Sequence, residues 1–539
     1  VRAEDDANRP DARLAAPIGP LEAGWTRSPW LALPLGALQS LAFAPANAWP
    51  LGLACLAALF WLWRDATPKR AAWTGFAFVG GLFLAGTYWL YVSIHVFGRA
   101  PVPLALFLML GMVAIMASYA AAVGWALARW WPRTGLVGLL LVVPAAWVGM
   151  EWFRGWFLSG FPWLAIGYSQ IDTWLAGWAP VVGIYGVSLA AAVSAGALVA
   201  AIGGTRRERI VAAAVIAGLW LGGAALRTID WTRPSGAPLQ VALVQGSVPQ
   251  DLKWQDANRE ATLKLYRDLT EQAWGARIVV WPEAALPVLF HEVVPYLKDL
   301  YFAARERNAD LVLGLLRYDF EKQHYRNGLV ALGREDGETV EGWYYKRRLV
   351  PFGEFFPVPS FVREWMRLQS LTYVDFASGE DDQPALRAGG QLLGPTICYE
   401  DAYAVEQLAV LRDATLLVNV SNDAWFGDST APHQHLQIAR FRSLEAGRWM
   451  MRATNNGISA LIDQRGRVVQ RTRQFVPEVL KGAVVPYTGL TPYAVVRNWP
   501  VLALCVAGLA VGFALRRDRS RRPAARAGTR GAGPSSGVR

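Results

Sequence analysis

Two regimes of hydropathy divide this chain, and they restrict its fold more than any single residue does. Apolar stretches occupy Trp30 to Ala44, Leu51 to Trp63, Thr74 to Phe97, Pro103 to Ala128, Gly135 to Gly149, Pro180 to Ile202 and Ile210 to Leu226, and a last one runs from Trp499 to Leu515. Hydropathy falls at RTIDWTRPSGAP, Arg227 to Pro238, and stays low until Trp499. A helix needs about 20 apolar residues to cross a bilayer, and with 53% hydrophobic residues and 26 tryptophans the chain has them to spend repeatedly. The expected architecture is an eight-helix transmembrane domain with a soluble block between the seventh and eighth spans. Several stretches fall short of the crossing length, so their ends must extend into flanks such as Trp49 and Trp73.

Loop charges orient this arrangement, because short cytoplasmic loops collect Lys and Arg. Arg64, Lys69 and Arg70 follow the second span, Arg129 and Arg133 the fourth, and Arg206, Arg207 and Arg209 the sixth. Eight arginines follow the eighth, between Arg516 and Arg539. The alternate loops carry little: none after the first span, Arg99 after the third, and Glu151, Arg154 and Asp172 after the fifth. Both termini are therefore expected in the cytoplasm and the soluble block outside it, which in a bacterium is the periplasm. The divisions expected are a polar tail over 1–28, read as a tail and not a secretory signal, seven spans over 29–232, the outer block over 239–487, a linker and eighth span over 488–515, and a basic tail over 516–539. The formal charge of +11 sits mostly in these loops and this tail, which argues for a membrane surface and against nucleic acid. For the tail itself, a solvated topology signal and a contact with anionic lipid both fit.

The soluble block reads as α/β. Runs rich in β-branched residues recur at 239–246 (LQVALVQG), 276–283 (ARIVVWPE), 309–316 (ADLVLGLL), 328–333 (GLVALG), 392–400 (LLGPTICYE) and 414–422 (ATLLVNVSN), with helical patterns at 256–274 and 433–449 between some of them. Three run ends carry unusual residues: Glu283 after IVVWP, Lys346 in WYYKRRLVPFGEF, and Cys398 after LLGPTI. Two of the three cysteines, Cys55 and Cys505, lie inside apolar spans, so no disulfide framework is expected and Cys398 stands alone. A thiol attacks an acyl carbon only as thiolate, so a base or a cation must accompany it. Glu283 can take the proton; Lys346 can balance the acids around the thiol and stabilise an oxyanion. The alternative is a surface ion-pair network beside a buried, inert cysteine.

A Glu, a Lys and a Cys in these contexts resemble the triad of the nitrilase superfamily of carbon-nitrogen hydrolases. GFPWLAIGYSQID (160–172), VQGSVPQDLKW (244–254), WPEAALP (281–287), LVPFGEFFP (349–357), ICYED (397–401), SNDAWFG (421–427) and TNNGISA (454–460) carry the likeness further, to the apolipoprotein N-acyltransferases. That resemblance spans about Trp30 to Leu515 and implies an αββα sandwich behind the membrane helices, with no cofactor. It implies a phospholipid acyl donor, a diacylated apolipoprotein as acceptor, a thioester on Cys398, and the bacterial inner membrane as location. Glu354, Tyr399 and Glu400 are expected to support the site, Tyr399 and Glu400 by shaping the oxyanion region. Gly160, Trp163 and Trp254 are expected to position substrate. The aromatic segment PFGEFFPVPSFVREWM, with Phe352, Phe355 and Phe356, fits either a lid dipping into the lipid interface or core packing; Asn422 reads as turn structure. His433 and His435 lie on different faces of a helix, and no HExxH or paired-cysteine motif suggests a metal. A membrane-tethered amidase would share the three residues and use water as acceptor; a transporter or scaffold would explain the spans but not the triad.

Overall fold

The computed structural model describes residues 28–335, 338–351, 353–355, 361 and 376–521. All eight apolar stretches are helical, but they differ in reach. Val102–Trp130, Gly135–Arg154, Trp174–Gly203, Arg206–Leu226 and Trp499–Arg516 are long and apolar enough to cross a bilayer, and Pro68–Gly86 with Trp89–Phe97 makes a sixth if that pair, bent by 54°, counts as one. The first two stretches fall short of the expectation. Helix Ala32–Gln39 spans about 12 Å and Trp49–Arg64 about 24 Å, against a hydrocarbon core of about 30 Å. Pro45, which cannot donate a backbone hydrogen bond, lies in the turn between the two, and Pro50 sits in the first turn of the second helix. The short first helix packs tightly on Pro68–Gly86: a Cβ at Gly36 would meet the Phe78 carbonyl at 1.8 Å, and one at Gly81 the Leu33 carbonyl at 2.0 Å. Glycine there lets the two backbones touch.

The basic loops gather at one end of the helical bundle. Arg133 donates to the carbonyls of Trp63 and Ala66, and Arg516 donates to the Arg129 carbonyl. At other loops, ion pairs tie the bundle to the soluble block: Arg440 to Asp172, and Arg465 to Asp230 at 2.6 Å.

That block contains two six-stranded sheets. The first holds β1 (Leu239–Gln245), β2 (Ile278–Val280), β3 (Asp310–Asp319), β4 (His324–Glu335) and β5 (Glu338–Tyr345), with β12 (Glu478–Val484) beside β1. The second runs, in spatial order, from β6 (Leu386–Ala388) through β7 (Gln391–Ile397), β8 (Leu416–Ser421), β9 (Met450–Thr454) and β10 (Ala460–Ile462) to β11 (Val468–Arg471). Strands β1–β2–β3 pair parallel, as do β7–β8–β9, and every other pairing within these sheets is antiparallel. The central strands β2 and β8 are buried along their whole length, which is why they read as unbroken apolar runs. Strands such as β11 and β12, partly exposed and mixed in composition, gave no such signal.

The sheets face each other across a core that includes Val241, Leu243, Val280, Val312, Ile397, Val418 and Ala453. Helices Arg259–Ala273 and Val294–Glu306 cover the far side of the first sheet, and each buries one stripe. In the former, Thr262, Tyr266, Leu269, Thr270 and Ala273 recur at helical spacing. The fourth layer differs. Helix Ala431–Ala446 is buried at every residue except His433 and Arg440, because it lies between the second sheet and the membrane helices. One continuous apolar cluster joins Leu417, Phe441 and Ile462 to Leu56, Trp147 and Ala191. The layers are thus αββα, with the last α layer shared with the membrane bundle.

Candidate active site

Glu283, Lys346 and Cys398 come from three separated places in the chain, after β2, after β5 and after β7, and the sandwich brings their side chains together. Cys398 begins a single 3-10 turn, Cys398–Ala402, directly after β7, and its φ is +53°. A non-glycine residue in that region costs about 1–3 kcal/mol and needs surroundings that hold it. Two supports are visible. Glu400 Oε2 accepts the Ile397 N–H at 2.7 Å, and His435 Nε2 lies 3.1 Å from the Cys398 carbonyl. The sharp reversal projects the thiol from the strand end.

The Glu283 carboxylate is buried and fully engaged. Its Oε1 accepts from Lys346 Nζ at 3.0 Å and from Asn327 Nδ2 at 2.7 Å, while Oε2 accepts the backbone N–H of Asn422 at 2.9 Å. Burial works against its ionisation, but the Lys346 charge and these hydrogen bonds outweigh burial and hold the carboxyl below the usual carboxylate range. Lys346 also donates to Glu354 Oε1 at 2.8 Å. Burial alone would lower the lysine; Glu283 and Glu354 overcome it and keep the ammonium charged well above its ordinary range. The thiol moves the other way. Burial, then repulsion from Glu283, pushes Cys398 well above its usual value, and Lys346 and a hydrogen bond from Ser421 offset this only in part. At rest the site therefore holds carboxylate, ammonium and neutral thiol.

The supporting residues divide by contact. Glu354 Oε2 accepts the Val350 N–H at 2.9 Å, so the carboxylate fixes both the lysine and the start of the aromatic segment. Both oxygens of Glu400 are occupied by the N–H groups of Ile397, Arg347 and Arg348 and by the Tyr344 hydroxyl. It braces the turn carrying Cys398 against the stretch carrying Lys346. Tyr399 donates its hydroxyl to the Gly160 carbonyl at 2.8 Å and stacks over Trp163 at 6.5 Å. Gly160, at φ +74°, admits no Cβ, which would lie 2.1 Å from the Gly155 carbonyl. Trp163 is only 3% exposed and donates its indole N–H to Gln434 at 2.7 Å, so it lies packed beneath Tyr399. Trp254 is 49% exposed and stands outside this cluster. Phe355 is half-buried beside Pro351; Phe352 and Phe356 lie outside the described residues.

Several participants left little trace in the sequence. Asn327, in β4, reaches both Glu283 and Glu354. Asn422, read as turn structure, supplies its backbone N–H to Glu283 and links Gln250 to Asn455 through its side chain. Beneath Cys398 lies a buried charged network. His435 Nδ1 donates to Asp423 at 2.9 Å, Nε2 faces Asp401 at 3.0 Å, and Arg452 contacts both carboxylates at 3.2 and 3.3 Å. Burial and Arg452 oppose protonation of His435, yet Asp401 and Asp423 raise it to about 9. Asp423, despite burial, is held at about 2 by His435 and Arg452.

Comparison with known proteins follows the same division of the chain. Residues 35–197 match the family model of the apolipoprotein N-acyltransferase N-terminal domain, and residues 240–493 match that of carbon-nitrogen hydrolase. An apolipoprotein N-acyltransferase of Azotobacter vinelandii is 44% identical over 510 residues, covering 93% of this chain and 98% of that protein. Its counterpart in Methylococcus capsulatus is 42% identical over 488 residues, covering 90% of this chain and 96% of the other. That of Pseudomonas putida is 42% identical over 504 residues, covering 92% and 98%.

Proposed function

The chain belongs to the apolipoprotein N-acyltransferase family and is an acyltransferase of lipoprotein maturation; from that premise we propose that Glu283, Lys346 and Cys398 move an acyl chain from a phospholipid to the α-amino group of a diacylated apolipoprotein. The observation that carries this assignment is the buried Glu283 carboxylate, held by Lys346 at 3.0 Å beside a cysteine on a strained turn.

In the first half-reaction the Cys398 proton passes to Glu283 as Sγ adds to the ester carbonyl. The Lys346 ammonium faces the resulting oxyanion, a contribution of about 3–4 kcal/mol per donor in comparable sites. Collapse breaks the ester C–O bond, and Glu283 returns the proton to the lysophospholipid oxygen as it leaves. In the second half-reaction the amine attacks the thioester, Glu283 takes a proton from nitrogen, and Sγ leaves and is reprotonated. Lipid supply accounts for the membrane helices. Exposing a fatty chain to water costs about 0.8 kcal/mol per methylene, so the donor must reach Cys398 from the bilayer side.

The same reading places the protein in the bacterial inner membrane with the sandwich in the periplasm and both termini in the cytoplasm. The clustering of Arg129, Arg133 and Arg516 contacts at one end of the bundle supports that orientation. Eight passes would require Ala32–Gln39 and Trp49–Arg64 to complete their crossings with flanking residues or a locally thinned bilayer. Residues 29–232, 239–487 and 488–515 are then the membrane domain, the catalytic domain and the final anchor.

The test uses the purified full chain and a phospholipid labelled in its acyl chain. A thioester should form on Cys398, vanish in Cys398→Ala, and form about a hundredfold to ten-thousandfold more slowly in Glu283→Gln. Adding diacylated lipopeptide should then yield amide. Free fatty acid alone would make the protein a hydrolase, no adduct would make it a scaffold, and a thioester at Cys55 or Cys505 would overturn the assignment.

A further inference from the structure

The second half-reaction proposed above has one more proton to dispose of than the triad can hold. The acceptor's α-amino group arrives largely as ammonium, since such groups lose their proton near about 8. It must lose one proton to gain a lone pair and a second as the C–N bond forms. Glu283 can take the second and return it to Sγ. It is a poor partner for the first, because Lys346, Asn327 and Asn422 already stabilise it as carboxylate. Lys346 cannot help, being fixed as ammonium between two carboxylates.

Among the described residues, Lys253 is a basic side chain that is buried beside Glu283 and has no hydrogen-bond partner. It ends the short helix Gln250–Lys253 and is 0% exposed. Three residues earlier on that helix, Gln250 accepts a hydrogen bond from Asn422 at 2.8 Å, and the Asn422 backbone N–H donates to Glu283 Oε2. The helix is thus seated directly on the active site. A buried, unpaired lysine is costly and would be more comfortable as methionine, so its presence beside reacting groups points to chemistry. Burial lowers its affinity for protons to about 8, with Glu283 opposing. The charged group that acts on it is Glu283, which is itself paired with Lys346; Asp251 on its own helix is exposed.

We infer that Lys253 is the base that removes the first proton from the acceptor's α-ammonium before it attacks the thioester on Cys398. This rests on the acyltransferase reading. The sequence balances: the uncharged Lys253 amine takes a proton from the α-ammonium, and the freed nitrogen adds to the thioester carbonyl. Glu283 takes the second proton, the C–S bond breaks with its electron pair on Sγ, and Glu283 protonates Sγ. Amide, thiol and one proton on Lys253 result, and that proton passes to solvent before the next cycle. Proton affinities matched between donor and base make the first transfer nearly isoenergetic.

The two half-reactions, measured separately on the full chain in phospholipid vesicles, test the assignment. In Lys253→Met, transfer to lipopeptide at about pH 7 should fall at least about tenfold more than acylation of Cys398. Raising the pH to about 9, or supplying trifluoroethylamine, which is already uncharged at neutral pH, should close that gap. Lys253→Arg keeps size and charge but cannot release a proton, so it should show the same gap. Equal loss of both half-reactions in both variants, or transfer by Lys253→Arg in step with its acylation, overturns the inference. A parent protein that forms no thioester refutes the acyltransferase reading instead, so the two failures are distinct.

Discussion

The charged network under Cys398 predicts a pH-dependent stability that one substitution should remove. His435 sits fully buried between Asp401 and Asp423, and its proton affinity rises from an ordinary 6.5 to about 9. A group whose folded value is raised adds stability that is fully present below its unfolded value and lost as pH climbs through the folded one. The window here is therefore about pH 6.5 to 9, and at about 1.4 kcal/mol for each tenfold change in proton affinity the whole contribution is about 3 kcal/mol. For a domain of this size about 1 kcal/mol moves the melting temperature by about 2–4 °C. The parent should thus lose about 5 °C or more across that window. Lys253 opposes this trend above about pH 8, because its folded value is lowered and its deprotonation stabilises the fold. A difference measurement removes that complication. His435→Gln keeps hydrogen-bonding capacity without the charge, so its melting temperature, followed by intrinsic fluorescence in detergent, should lack the alkaline decline that the parent shows. Because His435 also faces the Cys398 carbonyl, acylation by the variant should slow even near neutral pH. Equal slopes for parent and variant would falsify the placement of a charged imidazolium in the network.

Two further substitutions probe the groups that hold the triad. Lys346→Met leaves Glu283 and Glu354 without their shared cation; acyl-enzyme formation should fall by about a hundredfold to a thousandfold, and Glu283 should titrate at higher pH in the acylation profile. Glu400→Gln cannot accept from the N–H groups of Ile397, Arg347 and Arg348 with both atoms, so the turn at Cys398 loosens; kcat for acylation should drop about tenfold with little change in KM.

Legibility from sequence followed the length of the physical signal. Glu283, three residues past β2, and Cys398, directly after β7, stood out because each follows a mostly buried strand that reads as a continuous apolar run. Helices Val102–Trp130 and Arg206–Leu226 were evident from hydropathy over many residues. The first two apolar stretches were already short in the sequence, and their helices of 8 and 16 residues fall below a bilayer's thickness, so hydropathy alone does not decide whether they cross. Asn327 was invisible, since an asparagine in a strand has no pattern until Glu283 and Glu354 converge on it from elsewhere in the chain. His435 was weighed only against His433 as a metal ligand, and the spacing correctly separated their faces. Its true partners, Asp401 and Asp423, are neighbours only after β7 and β8 pair. Trp163 was a candidate for positioning substrate through the resemblance alone, and its packing beneath Tyr399 depends on a tertiary contact that local sequence does not encode.

Helix Ala431–Ala446 has a practical corollary for anyone dissecting this enzyme. Severed from its hydrophobic partner, the sandwich would present Leu436, Ile438, Phe441 and Leu444 as a naked oily flank, and the fragment should aggregate or adhere to micelles instead of behaving as a miniature amidase. Solubilising it would take surface redesign along that one helix, and any such redesign would also disturb His435, which sits on the same rod behind the reactive sulfur.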